Sequence, residues 1–118
     1  MDALNSYSDA LLRLPVTSNM KSDPPQSTPE STISTVVEMM MSEDIGAVVI
    51  VEESRPVGIL TEKDILRRVV KTGRDFEETL AQDVMTKPVI IIEAERPISD
   101  ALELLRENNI RRLVVTQA

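Results

Sequence analysis

The sequence predicts an α/β fold of the α+β type, a β-α-β-β-α unit in tandem with its second copy incomplete. Three observations carry this expectation. Sliding the chain along itself places Ile33 on Ile98, Val36 on Ala101, Val37 on Leu102, Met40 on Leu105 and Ile45 on Ile110 without a gap. In both copies apolar residues recur at i, i+3, i+4 and i+7, which is one face of a helix. An uninterrupted apolar run then follows, Val48-Val49-Ile50 in one copy and Leu113-Val114-Val115 in the other, and such a run reads as a buried strand.

The elements follow in chain order. Residues 1–28 are rich in Ser, Thr, Asn, Asp and Pro, including Asp23-Pro24-Pro25, and are expected to be disordered. That composition buries too little surface to offset the entropy of ordering it. Within it, Asp9–Leu14 suits a short helix that Pro15 stops. The first repeat, residues 29–72, has a helix from Ile33, a strand over Ile45–Val51, a turn at Glu52–Arg55, a second strand over Pro56–Leu60 and a helix opening on Thr61. Met40 lies on the apolar stripe of the first helix and is expected in the core. Gly73 ends the first repeat, and residues 73–86 read as a short helical linker. The second repeat, residues 87–118, has a strand over Val89–Ile92, a helix from Ile98 and a strand over Ile110–Val115.

The repeat also shows where the second copy stops. Counterparts of Gly58, Thr61 and Asp64 would fall at positions 123, 126 and 129, beyond Ala118. The chain is therefore expected to be a piece of a longer protein, since a strand ending at Val115 would otherwise leave a sheet edge open.

Composition excludes several functions. The formal net charge is −7 and the sequence pI about 4.6, so the overall field repels nucleic acid and anionic membranes. One Tyr, one Phe and no Trp leave little to stack on bases. The sequence contains neither an apolar run of about eighteen residues nor a basic-then-apolar leader, so a soluble, cytoplasmic protein is expected. Without Cys or His, disulfides, thiol chemistry, structural zinc and His-dependent triads are ruled out. Acid–base work would fall to Asp and Glu, which lie mostly on expected solvent faces such as Glu52-Glu53 and Glu77-Glu78. No catalytic constellation and no metal site emerge, and no enzyme is expected.

The segment richest in chemistry runs from Pro56 to Arg68. A short apolar strand containing Gly58 leads directly into a helix opened by Thr61, with Asp64 three positions on. A helix start offers unpaired N–H groups and partial positive charge, so a hydroxyl and a carboxylate there can hold a sugar phosphate. The same spacing is also a capping box with no ligand at all. Both readings stand on these residues alone, and Arg67 and Arg68 further along add local positive charge and are expected on a solvated helix face.

Four stretches together resemble the cystathionine-β-synthase (CBS) domain, whose tandem pairs form regulatory modules. They are Ile45–Val51, Gly58–Asp64, Val84-Met85-Thr86 with Pro88-Val89, and Ile110–Val115. The resemblance covers roughly residues 29–116, although the family's first strand has no clear counterpart near Lys21–Pro25. It implies an adenine nucleotide, AMP or ATP with S-adenosylmethionine also possible, as a regulatory ligand in a cleft between the repeats, with no required cofactor. Carried over by position, it implies that Gly58 and Thr61 border the phosphate and ribose and that Asp64 accepts hydrogen bonds from the ribose diol. It likewise implies that Thr86 and Val89 line the adenine and that Arg111 and Arg112 meet the phosphates. The resemblance further implies a homodimer. An alternative within the family is a ligand-free dimerisation and interaction module, with Thr61 and Asp64 only capping a helix.

The uncharged Gly46 and Ala47 stand where the second copy has Arg111 and Arg112. One nucleotide per chain is the expected maximum. Isothermal titration checks it: two equivalent adenine-nucleotide sites per chain would contradict this reading of the repeat.

Overall fold

Thr32 starts the first helix, α1, which spans Ile33–Glu43: its hydroxyl accepts a hydrogen bond from the Thr35 N–H at 3.2 Å. Asp44, in the left-handed conformation at φ 50°, ends it, and Ile33, Val36 and Met40 form its buried face. The helix start and the core position of Met40 are as expected. A computed structural model describes residues 13–15, 24–110 and 112–116. These form two compact units, Asp23–Val89 and Met1–Ser22 with Ile90–Ala118.

In the first unit, β2 (Ala47–Glu52) and β3 (Arg55–Thr61) pair antiparallel, with Val48 opposite Leu60 and Ile50 opposite Gly58. The reversal uses Glu53 and Ser54 at φ 50° and 64°, two consecutive left-handed residues of the kind that match hairpin twist. Val48, Ile50 and Leu60 are fully buried, and each contributes roughly 1.5–3 kcal/mol through burial. The opposite face of β2, carrying Val49 and Val51, is half-buried, so the apolar run is not enclosed equally on both sides.

A third strand, β1 (Gln26–Ser27), pairs parallel with β2 beside Val49 and Ile50. This corrects the expected reach of disorder, because the last residues of that Pro-rich stretch enter the sheet. Ordering there combines side-chain burial with backbone pairing: Pro25 is buried, and its carbonyl accepts the Val49 N–H at 3.0 Å. The helix expected over Asp9–Leu14 lies mostly outside the described residues.

After β3, α2 spans Glu62–Ile65 and continues as a π-helical turn over Leu66–Val70. The Lys71 N–H reaches the Leu66 carbonyl and the Arg74 N–H reaches the Val69 carbonyl, both at 2.9 Å. A uniform α-helix was the expectation, and the widened turn departs from it. Gly73, at φ 73°, ends the segment as its sequence position suggests.

The stretch 73–86 is no free linker. Its carbonyls at Thr79 and Phe76 accept the first N–H groups of α1, from Ile33 at 2.9 Å and Ser34 at 3.0 Å. The short helix α3, Ala81–Val84, then buries Ala81 and Val84, and Met85 joins the same core. The backbone donors at the start of α1 are thus satisfied by the segment that follows the first repeat.

In the second unit, β4 (Ile91–Glu93) pairs parallel with β5 (Val114–Thr116), and α4 (Ile98–Glu107) lies between them in sequence. The expected strands at Val89–Ile92 and Ile110–Val115 are present in shorter, slightly shifted form. Pro97 cannot cap α4 with a side chain, and the Leu14 carbonyl instead accepts the Ile98 N–H at 2.8 Å.

Gly58 is buried, and a Cβ there would overlap the Met85 thioether. Gly58→Ala should therefore force Met85 off its seat and cost about 1–3 kcal/mol. A lowered denaturation midpoint with unchanged slope is the expected readout; an unchanged midpoint would show that this close approach carries no stability.

Candidate functional site

Thr61 ends β3 in extended conformation and its neighbours turn at once into α2, so its side chain stands over the first helical amides. Its hydroxyl accepts the Asp64 N–H at 3.1 Å and donates to Asp64 Oδ2 at 3.0 Å. The same Oδ2 accepts the Thr61 N–H at 3.0 Å. The capping box read from the sequence is formed in full.

Asp64 does more than close that box. Its carboxylate is only 9% exposed, and Oδ1 accepts the hydroxyl of Thr86, 22 positions along the chain, at 3.0 Å. Thr86 is brought there by backbone pairing with β3: the Ile59 N–H meets the Thr86 carbonyl at 3.0 Å and the Thr86 N–H meets the Ile59 carbonyl at 2.8 Å. Arg68 fastens the residues just before it, donating from Nη1 to the Val84 and Met85 carbonyls at 3.0 and 3.1 Å. Three hydroxyl or amide donors therefore surround one buried carboxylate, which offsets the cost of taking it out of water.

The sequence-predicted residues divide between the two units. Gly58, Thr61, Asp64 and Thr86 come together in the first, and Val89, half-buried, lies at its end. Arg112 is exposed just before β5 in the second unit, and Arg111 lies outside the described residues. Gly58 contributes differently from expectation: the space left by its missing side chain is filled by Met85. The helix start is also less open than expected, because the Glu62 N–H already pairs with the Gly46 carbonyl at 3.0 Å and the Asp64 N–H with Thr61.

Two functional contacts escaped the sequence. Arg68 reads there as part of a solvated helix face with Arg67, yet it holds the carbonyls of the 84–85 segment. The Thr86–Asp64 bond has no local signal, because it depends on the Ile59–Thr86 pairing. Chemically, the carboxylate can accept hydrogen bonds from hydroxyls, and its oxygens face donors rather than a group it could deprotonate or attack. Among the described residues no cluster of three or more metal-ligating side chains occurs, and no helix is long and apolar enough to cross a membrane.

A second feature of the first unit is an apolar groove of about 480 Å³ between α1 and α2, lined by Val37, Met40, Met41, Leu66, Val70 and Phe76. Met41, Leu66 and Val70 are 77%, 60% and 52% exposed.

The CBS domain family model matches two segments, residues 14–71 and 81–118. An uncharacterised protein of Methanopyrus kandleri is 38% identical over 88 residues, covering 74% of this chain and 45% of that protein. A mitochondrial CBS domain-containing protein of Arabidopsis thaliana is 32% identical over 93 residues, covering 75% of this chain and 45% of its own. The chain thus spans under half the length of these two relatives. A CBS domain protein of Pyrobaculum aerophilum, solved as a complex with AMP, matches with a TM-score of 0.77 at 26% identity, covering 88% of this chain and 79% of that one.

Proposed function

The chain belongs to the CBS domain family, and on that premise we propose that it is a regulatory, non-catalytic module that binds an adenine nucleotide, AMP or ATP, with S-adenosylmethionine as a further candidate. The observation that carries the reading is the buried Asp64 carboxylate, held at the strand-to-helix junction by Thr61 and Thr86. A carboxylate fixed in this way suits a ribose diol, as acidic residues do in other nucleotide sites. The AMP complex of the Pyrobaculum aerophilum relative supports the ligand class.

The remaining roles follow the family pattern. Thr61 and Gly58 border the sugar phosphate, Thr86 and Val89 line the base through backbone groups and apolar contact, which Thr86→Val would keep, and Arg111 and Arg112 supply guanidinium groups for the phosphate oxygens. These two arginines matter because a net charge of −7 otherwise disfavours an anion. Ligand occupancy signals through its differential affinity for two conformations of the module, which acts as a soluble, cytoplasmic regulator of a partner or fused domain.

Asp64→Ala separates this reading from simple helix capping. AMP and ATP should raise the melting temperature of the wild-type chain, and the substitution should abolish that rise. The cap alone predicts a loss of about 1 kcal/mol in stability and no ligand effect in either protein.

A second reading, homodimerisation, is favoured by the groove beside Met41, Leu66 and Val70. Three large exposed apolar side chains around one depression form the kind of patch that monomers rarely leave open, and a second copy would cover them with the same surface. Leu66→Asp should leave the fold intact and convert a dimer to a monomer in sedimentation velocity. A wild-type chain that sediments as a monomer at all accessible concentrations would end this reading.

A further inference from the structure

The hydrogen bonds already made by Asp64 limit how a ribose can bind. A carboxylate offers about four lone-pair positions, two on each oxygen. Oδ2 has both engaged, by the Thr61 N–H and the Thr61 hydroxyl. Oδ1 has one engaged, by the Thr86 hydroxyl, which leaves a single position. A cis-diol donating both of its hydroxyls needs two.

We propose that Thr86 is a built-in competitor for the ribose diol on Asp64: a ligand with two adjacent hydroxyls must displace the Thr86 hydroxyl from Oδ1, whereas a ligand with one need not. This deepens the nucleotide-binding reading above and rests on it. Thr86 is the donor that yields, for structural reasons. The two Thr61 bonds are local, close the cap of α2, and involve a backbone N–H that would be stranded by their loss. The Thr86 side chain belongs to an exposed residue, can turn to water, and leaves its backbone pairing with Ile59 intact when it does so. Arg68 keeps the competitor close, because its two bonds to the Val84 and Met85 carbonyls hold the residues that immediately precede Thr86. Thr86 is thus a positioning residue that weakens diol binding and moderates the preference for ribose over deoxyribose.

The test uses Thr86→Val, which keeps the methyl group and the shape but removes the donor, titrated with AMP and ATP and with their 2′-deoxy counterparts. Removing the competitor should tighten the ribonucleotides roughly five- to tenfold, the net worth of about one hydrogen bond, since the gain is the difference between a ligand bond and the bond it replaces. The 2′-deoxy compounds should change by less than about twofold, so the ribose-to-deoxyribose preference itself increases. Thr86→Ser, which keeps a hydroxyl, should restore the weaker wild-type binding. If Thr86→Val leaves ribonucleotide affinity unchanged or weakens it while wild type binds, the competitor role is overturned and the nucleotide site stands. If Thr86→Val tightens ribo- and deoxyribonucleotides equally, the effect is general and the diol argument fails. If neither wild type nor variant binds any of the four compounds, the binding reading and this inference fall together.

Discussion

One buried carboxylate ties together three parts of the first unit that the chain does not make adjacent: the end of β3, the start of α2 and the segment leaving α3. Asp64 reaches all of them, through Thr61 and through Thr86. Its desolvation would be prohibitive alone, and it is tolerable because three donors meet its two oxygens. Among the described residues no buried side-chain nitrogen or oxygen lacks one. The site is therefore part of the fold's polar bookkeeping, and under the proposed reading a diol is accommodated only by exchanging one of these bonds.

The segment 74–86 shows the same economy on the apolar side. It closes the amino end of α1 through Thr79 and Phe76, inserts Ala81 and Val84 into the core, and lays Met85 over Gly58. Arg68 then secures the carbonyls on either side of that methionine. What reads in sequence as a connection between two repeats is thus the closing layer of the first. The π-helical turn that carries Arg68 departs from ideal helix geometry at a point where a side chain is used, a placement common for such turns.

Local signals made much of this legible in the sequence. The stripe Ile33, Val36, Met40 fixed a helix and its buried face, the Val48–Ile50 run a strand, and the Thr61–Asp64 spacing a cap, because each depends on residues within one or two turns of each other. The repeat and the family resemblance pointed to Gly58, Thr61, Asp64 and Thr86, which the first unit brings together. What escaped was set by long-range pairing: β1 at Gln26–Ser27, where the backbone does the binding and composition argues for disorder, and the Asp64–Thr86 bond. Arg68 is exposed, as a solvated face requires, but its hydrogen bonds escaped for the same reason. Its partners are backbone carbonyls, which carry no sequence signature at all, and an arginine on a helix with charged neighbours looks solvated until the opposing chain is known.

A carboxylate that is already hydrogen-bonded is an unusual starting point for tight binding, and that suits a sensor. On the proposed nucleotide reading, a ligand hydroxyl that replaces a protein hydroxyl gains only the difference between two similar bonds, so the carboxylate would confer selectivity for a diol without driving affinity to an extreme. A regulatory ligand must leave as its concentration falls, which requires a dissociation constant near the working concentration rather than far below it. Stability follows the opposite logic: with Thr86 on Oδ1, the fold keeps its buried charge satisfied whether or not a nucleotide is present. The same three donors thus protect the protein from its own acidic group and limit how strongly a ligand can take their place.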